Sequence, residues 1–305
     1  MNYKFDFVRY RKPFLLASLI IVLIGIGSLF VQGLNLGVDF VSGTRLDFTV
    51  KQNVDVEKAK SVLENNGFKH PNARAAGDKK EIVVFRTESI LDKPKIDKLA
   101  RDLSKEFDVK VTVQEQKVDP IIGRELARNA IIGVLIACAI IGIYIAFRFE
   151  YRFAMATVAT LLYDAFLIIT FFSLFQIEVD LFFIAAILTI IGYSMNDTIV
   201  VFDRIRENEE KLQPKTWEQL SAMVNQSIQQ TLVRSINTVL TVLFGAVSLF
   251  LLGGEGIRNF SLALVVGLLA GAYSSIFIAS QIWVMWKWRS MKTGKEEPKL
   301  SPSTE

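Results

Sequence analysis

Residues 181–202 read LFFIAAILTIIGYSMNDTIVVF. The stretch is long enough to cross a bilayer as a helix, which takes about 20 apolar residues. It holds one formal charge, Asp197. An ionised carboxylate in hydrocarbon costs several kcal/mol unless it is paired or hydrated, so such residues mark ion or proton pathways. The stretch exits through the charged run DRIREN, Asp203 to Asn208, which reads as a solvated helix end.

Working outward from it, five more apolar stretches appear. The six lie at roughly 13–31, 129–147, 153–175, 181–202, 235–252 and 259–286. The first has an apolar run too long for a signal-peptide core and no small-residue cleavage site after it, so it is read as a signal anchor. Of the 305 residues 51% are apolar and 22% charged. With a mean hydropathy of +0.35, that mixture suggests membrane spans plus one water-soluble domain. The net charge is only +4, and basic loops flanking spans account for it without nucleic-acid binding. The single cysteine, Cys138, excludes an intrachain disulfide, and the single histidine, His70, excludes a His-based metal centre or a catalytic triad.

Cations cluster at alternate connections. Lys4, Arg9, Arg11 and Lys12 precede the first span; Arg148 and Arg152 join the second and third. Arg204, Arg206, Lys211 and Lys215 follow the fourth, and Lys287, Arg289, Lys292 and Lys295 the sixth. The positive-inside rule then puts both termini in the cytoplasm. Glu178 and Asp180, in the short turn between the third and fourth spans, are expected as exposed loop charges.

Residues 32–128 form the large connection on the far side. RLDFTV (45–50) alternates as a strand; 54–66 reads as a helix ended by Gly67; strands follow near 70–76 and 81–86. A second helix starts at Pro94, and 109–115 alternates again. Strand–helix–strand–strand–helix–strand is the ferredoxin-like pattern. The expected architecture is a polytopic α-helical membrane protein of six transmembrane helices, with one α+β ferredoxin-like extracytoplasmic domain between helices 1 and 2. The segments are 1–31 (cytoplasmic N-terminus and helix 1), 32–128 (the domain), 129–288 (helices 2–6) and a disordered cytoplasmic tail, 289–305.

Asp197 lies 16 residues after Leu181, about 24 Å from the outer end of its span at about 1.5 Å per residue. Arg234 lies 18 residues before Leu252, about 27 Å by the same rise. The two charges are at similar depth and can pair if their helices are neighbours. The alternative for Arg234 is snorkelling at the boundary. Asn237, Thr238 and Thr241 extend a polar stripe along its helix face, and Thr189, Tyr193 and Asn196 make a similar one on the fourth span. Asn196 is either a helix–helix hydrogen bond or part of the path. Asp164, about midway along the third span, is a further candidate. Ala263, Gly267, Gly271, Ser275 and Ala279 form a small-residue ladder on the sixth span, read as helix packing. The stretch LQPKTWEQLSAMVNQSIQQT (212–231) reads as an amphipathic helix at the membrane surface.

IGYSMNDTIVVFDRIREN (191–208) closely resembles the signature of the SecF family, the smaller half of the SecD–SecF accessory complex of the bacterial protein translocon. GLNLGVDFVSGT (33–44), IGRELARNA (122–130) and FRFEYRFA (147–154) resemble further stretches of that family. Ser42-Gly43-Thr44 departs from the family's GGT, and Asp119-Pro120 from its GP. The resemblance implies the resistance–nodulation–division superfamily, residence in the bacterial cell membrane, and use of a proton or sodium gradient to assist protein export. It implies that Asp197 and Arg234 form the ion relay, joined by Asn196 and Asp164. It implies SecD, the SecYEG translocon, a YidC-type insertase and unfolded preprotein as partners. Neither a cofactor nor a metal is expected, and no enzymatic nucleophile–base pair is visible. Two alternatives stay open: a structural partner of the translocon or insertase without a motor, and one half of an ion-coupled small-molecule exporter.

Overall fold

The computed structural model describes residues 5–41, 43–77, 79–118 and 120–293. Among the described residues, six helices are long and apolar enough to cross a membrane. The first is α1 (Arg11–Val31). A short strand β1 (Asn35–Leu36) and a helical turn α2 (Val38–Val41) lead into the domain. There β2 (Gly43–Thr49), α3 (Val56–Asn65), β3 (Asn72–Ala76), β4 (Ile82–Thr87), α4 (Lys93–Glu106) and β5 (Thr112–Val118) follow in turn. The sheet order is β3-β4-β2-β5 with antiparallel neighbours. Asp55 caps α3 by accepting from the Glu57 N–H, and Pro94 sits in the first turn of α4. Both helices lay an apolar face on the sheet, burying Leu63, Phe48, Phe85, Leu99 and Leu103.

Gly43 begins β2 with φ +119°, and a Cβ there would lie 2.1 Å from the Thr87 carbonyl oxygen. Only glycine fits such a backbone and such an approach. Ser42 and Asp119, the two departures from the family pattern, lie outside the described residues.

The remaining membrane helices are α5 (Pro120–Arg148), α6 (Tyr151–Leu174), α7 (Leu181–Leu212), α8 (Trp217–Leu252) and α9 (Glu255–Ser274). A strand β6 (Glu178–Val179) lies between α6 and α7. The sixth span continues from α9 through a π-helical segment, Ser275–Ala279, into α10 (Ser280–Lys292). The start of the expected tail is therefore helical, and residues 294–305 lie outside the described residues. The inner helices α6, α7 and α9 bury much of their surface, whereas α1, α5 and α8 leave long apolar faces exposed.

The surface helix expected within 212–231 is not separate. α7 stops at Gln213, whose left-handed φ of 42° turns the chain, and Thr216 with Gln219 forms a capping box that starts α8. From there α8 runs unbroken for 36 residues. Leu220, Met223, Val224 and Ile228, its apolar face, pack in one cluster with Phe7, Phe153, Phe202 and Trp283. The amphipathic pattern was real, but protein rather than lipid covers it.

Glu178 and Asp180 are likewise not exposed loop charges. Glu178 is 3% exposed and meets Arg45, Arg74 and Arg86 of the domain sheet. Asp180 is buried and caps α7, its Oδ1 accepting from the Phe183 N–H at 2.8 Å. Local sequence gives these residues no partner, because the arginines come from strands some 90 to 130 positions away.

The small-residue ladder packs within the chain. A Cβ on Gly267 would fall 2.5 Å from Ile190 and 2.9 Å from Ile168. Gly267→Ala should therefore destabilise the bundle by about 1–3 kcal/mol, whereas Gly27→Ala, with nothing within 4 Å, should be neutral or stabilising; unfolding in detergent measures both. A second outcome concerns Asp180. Burial, with Glu178 and Asp39 nearby, raises its carboxyl to about 6, against the Phe183 N–H and Arg45. In the unfolded chain it ionises near pH 4, so between about pH 4 and 6 the folded protein keeps a proton that the unfolded chain has lost, and this group's contribution falls as pH rises. Across that window the unfolding temperature of Asp180→Asn should gain on that of the wild type.

Candidate ion-coupling site

The polar centre of the bundle is built by α6, α7, α8 and the α9–π junction. Asp164 on α6 is fully buried. Its Oδ2 accepts from Ser194 Oγ of α7 at 2.5 Å and from Ser274 Oγ of α9 at 2.9 Å. Its Oδ1 has no hydrogen-bond partner among the described residues. One turn from Ser194 along α7 lies Asp197, 7% exposed. Ser235 of α8 and Ser275 of the π segment lie beside it, and the charge of Arg234 reaches it from further off. Among the described residues, neither Asp197 Oδ2 nor Ser235 Oγ has a hydrogen-bond partner. Thr198 and Ser275 share a hydroxyl–hydroxyl bond of 3.1 Å.

The helices come this close because the ladder is small. A Cβ on Gly271 would touch Ser194 Cβ at 3.2 Å, so a larger residue would push α9 away from α7 and stretch the bonds to Asp164. Tyr193 Oη donates to the Thr238 carbonyl at 3.0 Å and ties α7 to α8. A cavity of about 10 Å³ lies between Tyr193, Asp197, Val239 and Gly271, on the scale of one water molecule. Each of the two buried carboxyl groups thus has serine hydroxyls beside it and an oxygen left to take a further proton, cation or water.

Arg234 and Asn196 are both exposed, and no ion pair joins Asp197 to Arg234. Depth along a helix is fixed by residue count, but azimuth is not. The buried stripe of α8 runs through Leu220, Val224, Ser227, Thr231, Ser235 and Val239. Arg234 is one residue off that stripe, about 100° round the helix, and Asn196 is displaced in the same way from Asp197. Asn237 and Thr241 share the exposed side of α8 with Arg234. The structure therefore buries Asp164 and Asp197 separately among serines of neighbouring helices, and it leaves Arg234 and Asn196 exposed.

The four serines at 194, 235, 274 and 275 carry no distinctive spacing. Ser275 was legible only as a rung of the ladder. The adjacent pair Ser274-Ser275 was the one available hint, since neighbouring hydroxyls on an inner helix serve two different faces.

Residues 98–289 match the family described as "Protein export membrane protein SecD/SecF, C-terminal", and residues 27–54 match the "SecD/SecF GG Motif" family. The chain is 47% identical over 289 residues to "Protein translocase subunit SecDF" of Bacillus subtilis, covering 95% of this chain and 39% of that relative. It is 42% identical to "Protein translocase subunit SecF" of Alicyclobacillus acidocaldarius over the full length of both. The crystal structure of SecDF, a translocon-associated membrane protein from Thermus thermophilus, superposes with a TM-score of 0.85 at 36% identity, over 94% of this chain and 39% of that one. A structure of SecDF in a super-membrane-facing form gives a TM-score of 0.71 at 34% identity, over 97% of this chain and 41% of the other. The chain thus spans about two fifths of the SecDF relatives and the whole of a SecF relative.

Removing one serine donor leaves a buried carboxyl short of a hydrogen bond. Ser194→Ala and Ser274→Ala should each lower stability by about 1–3 kcal/mol. Because both donate to the same oxygen, the double variant should depart from additivity by about 0.5 kcal/mol or more. Unfolding of the four proteins in detergent measures that coupling.

Proposed function

This chain belongs to the SecD/SecF family of protein-export membrane proteins, and we propose that it works as the SecF half of an ion-driven export motor. The observation that carries the reading is the buried pair of carboxyls, Asp164 and Asp197, lodged among serines at the junction of α6, α7, α8 and α9. A structural protein gains little from two acidic groups in hydrocarbon. In the proposed cycle Asp197 takes up a proton or cation and releases it on the other side. The ionised form attracts Arg234, which must swing inward from the face of α8; the neutral form releases it, which fits the separation seen here. One elementary charge crossing about 100 mV supplies about 2.3 kcal/mol, enough to bias two packings of a helix pair. Ser235, next to Arg234 and facing Asp197, lies on the path of that swing. Asp164, bonded by two serines, relays or steadies the same charge.

A SecD-type partner is supported by the fused SecDF relatives, of which this chain matches about two fifths. It is also supported by the exposed polar stripe of Asn196, Arg234, Asn237 and Thr241. Lipid solvates such side chains poorly, and a second helical bundle can pair them. In this reading the protein sits in the bacterial cell membrane with both termini cytoplasmic. The sheet of β2–β5 with α3 and α4 is a ferredoxin-like domain on the outer face. The complex acts beside the SecYEG translocon and a YidC-type insertase on unfolded preprotein, without enzymatic chemistry. For Asp164 alone, its two serine bonds favour a second role as a packing lock.

The test is Asp197→Asn, a near-isosteric change that cannot carry the charge. Folded, abundant protein should lose the potential-dependent part of preprotein export in membrane vesicles and keep the ATP-driven part. Export that still follows the membrane potential would overturn the reading. Varying Na⁺ and pH separately in wild type and variant identifies the ion.

A further inference from the structure

Three arginines share one region of the domain sheet. Arg45 on β2 stands directly opposite Arg86 on β4, and Arg74 on β3 lies diagonal to Arg86. Like charges so placed repel one another. Asp47, on the same strand, accepts from Arg45 Nε at 2.9 Å and offsets part of this charge. The set is closed by Glu178, which comes from the turn between α6 and α7. Its carboxylate, 2% exposed, meets Arg45 Nη1 and Arg74 Nη2 at 3.3 Å each and Arg86 as well.

Further ties surround it. Asn35 and Leu36 pair in parallel with Glu178 and Val179, and the Gly37 N–H donates to the Val179 carbonyl at 2.7 Å. A Cβ on Gly37 would lie 3.0 Å from Glu178 Oε1, so the segment has no slack. Asp39, buried, accepts from Gln116 Nε2 of β5 on one oxygen and from the Leu181 N–H on the other, at 2.7 and 3.0 Å. The same few residues therefore hold the sheet and the first turn of α7. About four turns further along, that helix carries Asp197.

We propose that Glu178 is a coupling residue, the plug that makes the domain and the head of α7 move as one piece. Displacement of α7 at Asp197 is then delivered directly to the domain. This rests on the reading of Asp197 as the ion-responsive group. The joint stays closed through the cycle, because opening it would strand buried charges on both sides.

Glu178→Gln keeps the size of the side chain and removes its charge. In the full-length protein in lipid nanodiscs, hydrogen exchange at 35–41 and 179–183 should rise on the order of a hundredfold, the effect of breaking a buried ion pair, with α9 unchanged. Potential-driven export should fall, and the double variant with Asp197→Asn should export no less than Asp197→Asn alone; two merely structural defects would add. A disulfide between Leu36→Cys and Val179→Cys, in a Cys138→Ser background, should leave export intact. Unchanged exchange in Glu178→Gln overturns the plug, and raised exchange with normal export overturns the coupling. Export blocked by the disulfide and restored by reductant overturns the closed joint. If Asp197→Asn alone exports normally, the ion-site reading fails, and the exchange and export of Glu178→Gln still decide the joint.

Discussion

The hydroxyls that Ser194 and Ser274 present to Asp164 tie α6, α7 and α9 together at one carboxyl oxygen. Asp164 is fully buried, so a hydrogen bond lost from protein is not replaced by bulk solvent. That requirement sets the spacing of the three inner helices. It explains why Gly267 and Gly271 stand where Ile190 and Ser194 come closest. It also explains why α1, α5 and α8, which hold no buried carboxyl, can stay at the periphery with their apolar faces outward.

A second set of buried charges does the same work at the edge of the membrane region. Glu178, Asp39 and Asp180 each satisfy groups from a different part of the chain: strand arginines, a strand glutamine with a helix N–H, and the first turn of α7. The loop that starts α9 adds a further tie, since Glu255 accepts from the Gly77 N–H at 2.7 Å. The domain thus rests on two turns of the bundle through hydrogen bonds and ion pairs.

The spans were legible because twenty consecutive apolar residues have few other uses, and the domain's strands and helices because their periods of 2 and 3.6 are distinct. Asp197 and Asp164 stood out by their cost alone. Two kinds of statement were beyond reach. Azimuth was one: counting residues placed Arg234 level with Asp197 but could not show that Ser235 faces inward in its stead. Long-range pairing was the other: Glu178 in a short turn looks solvated until Arg45, Arg74 and Arg86 are brought over it. The continuous α8 failed for a related reason, since an amphipathic face does not say whether lipid or Trp283 will cover it.

The π-helical segment Ser275–Ala279 bears on how an inner helix can keep one face small over a long distance. In an ideal α-helix every fourth residue drifts about 40° round the axis, so a row such as Ala263, Gly267, Gly271, Ser275, Ala279 and Trp283 would wind out of its groove. All six positions are nonetheless buried. A π turn holds more residues than an α turn, and it takes up part of that winding midway. The sixth span can therefore change from a glycine seam beside Ser194 to an aromatic seat for Trp283, stacked on Phe153 at 4.8 Å, without leaving the same side of the bundle. Phase, carried by the wider π turn, is what lets one span serve two different neighbours.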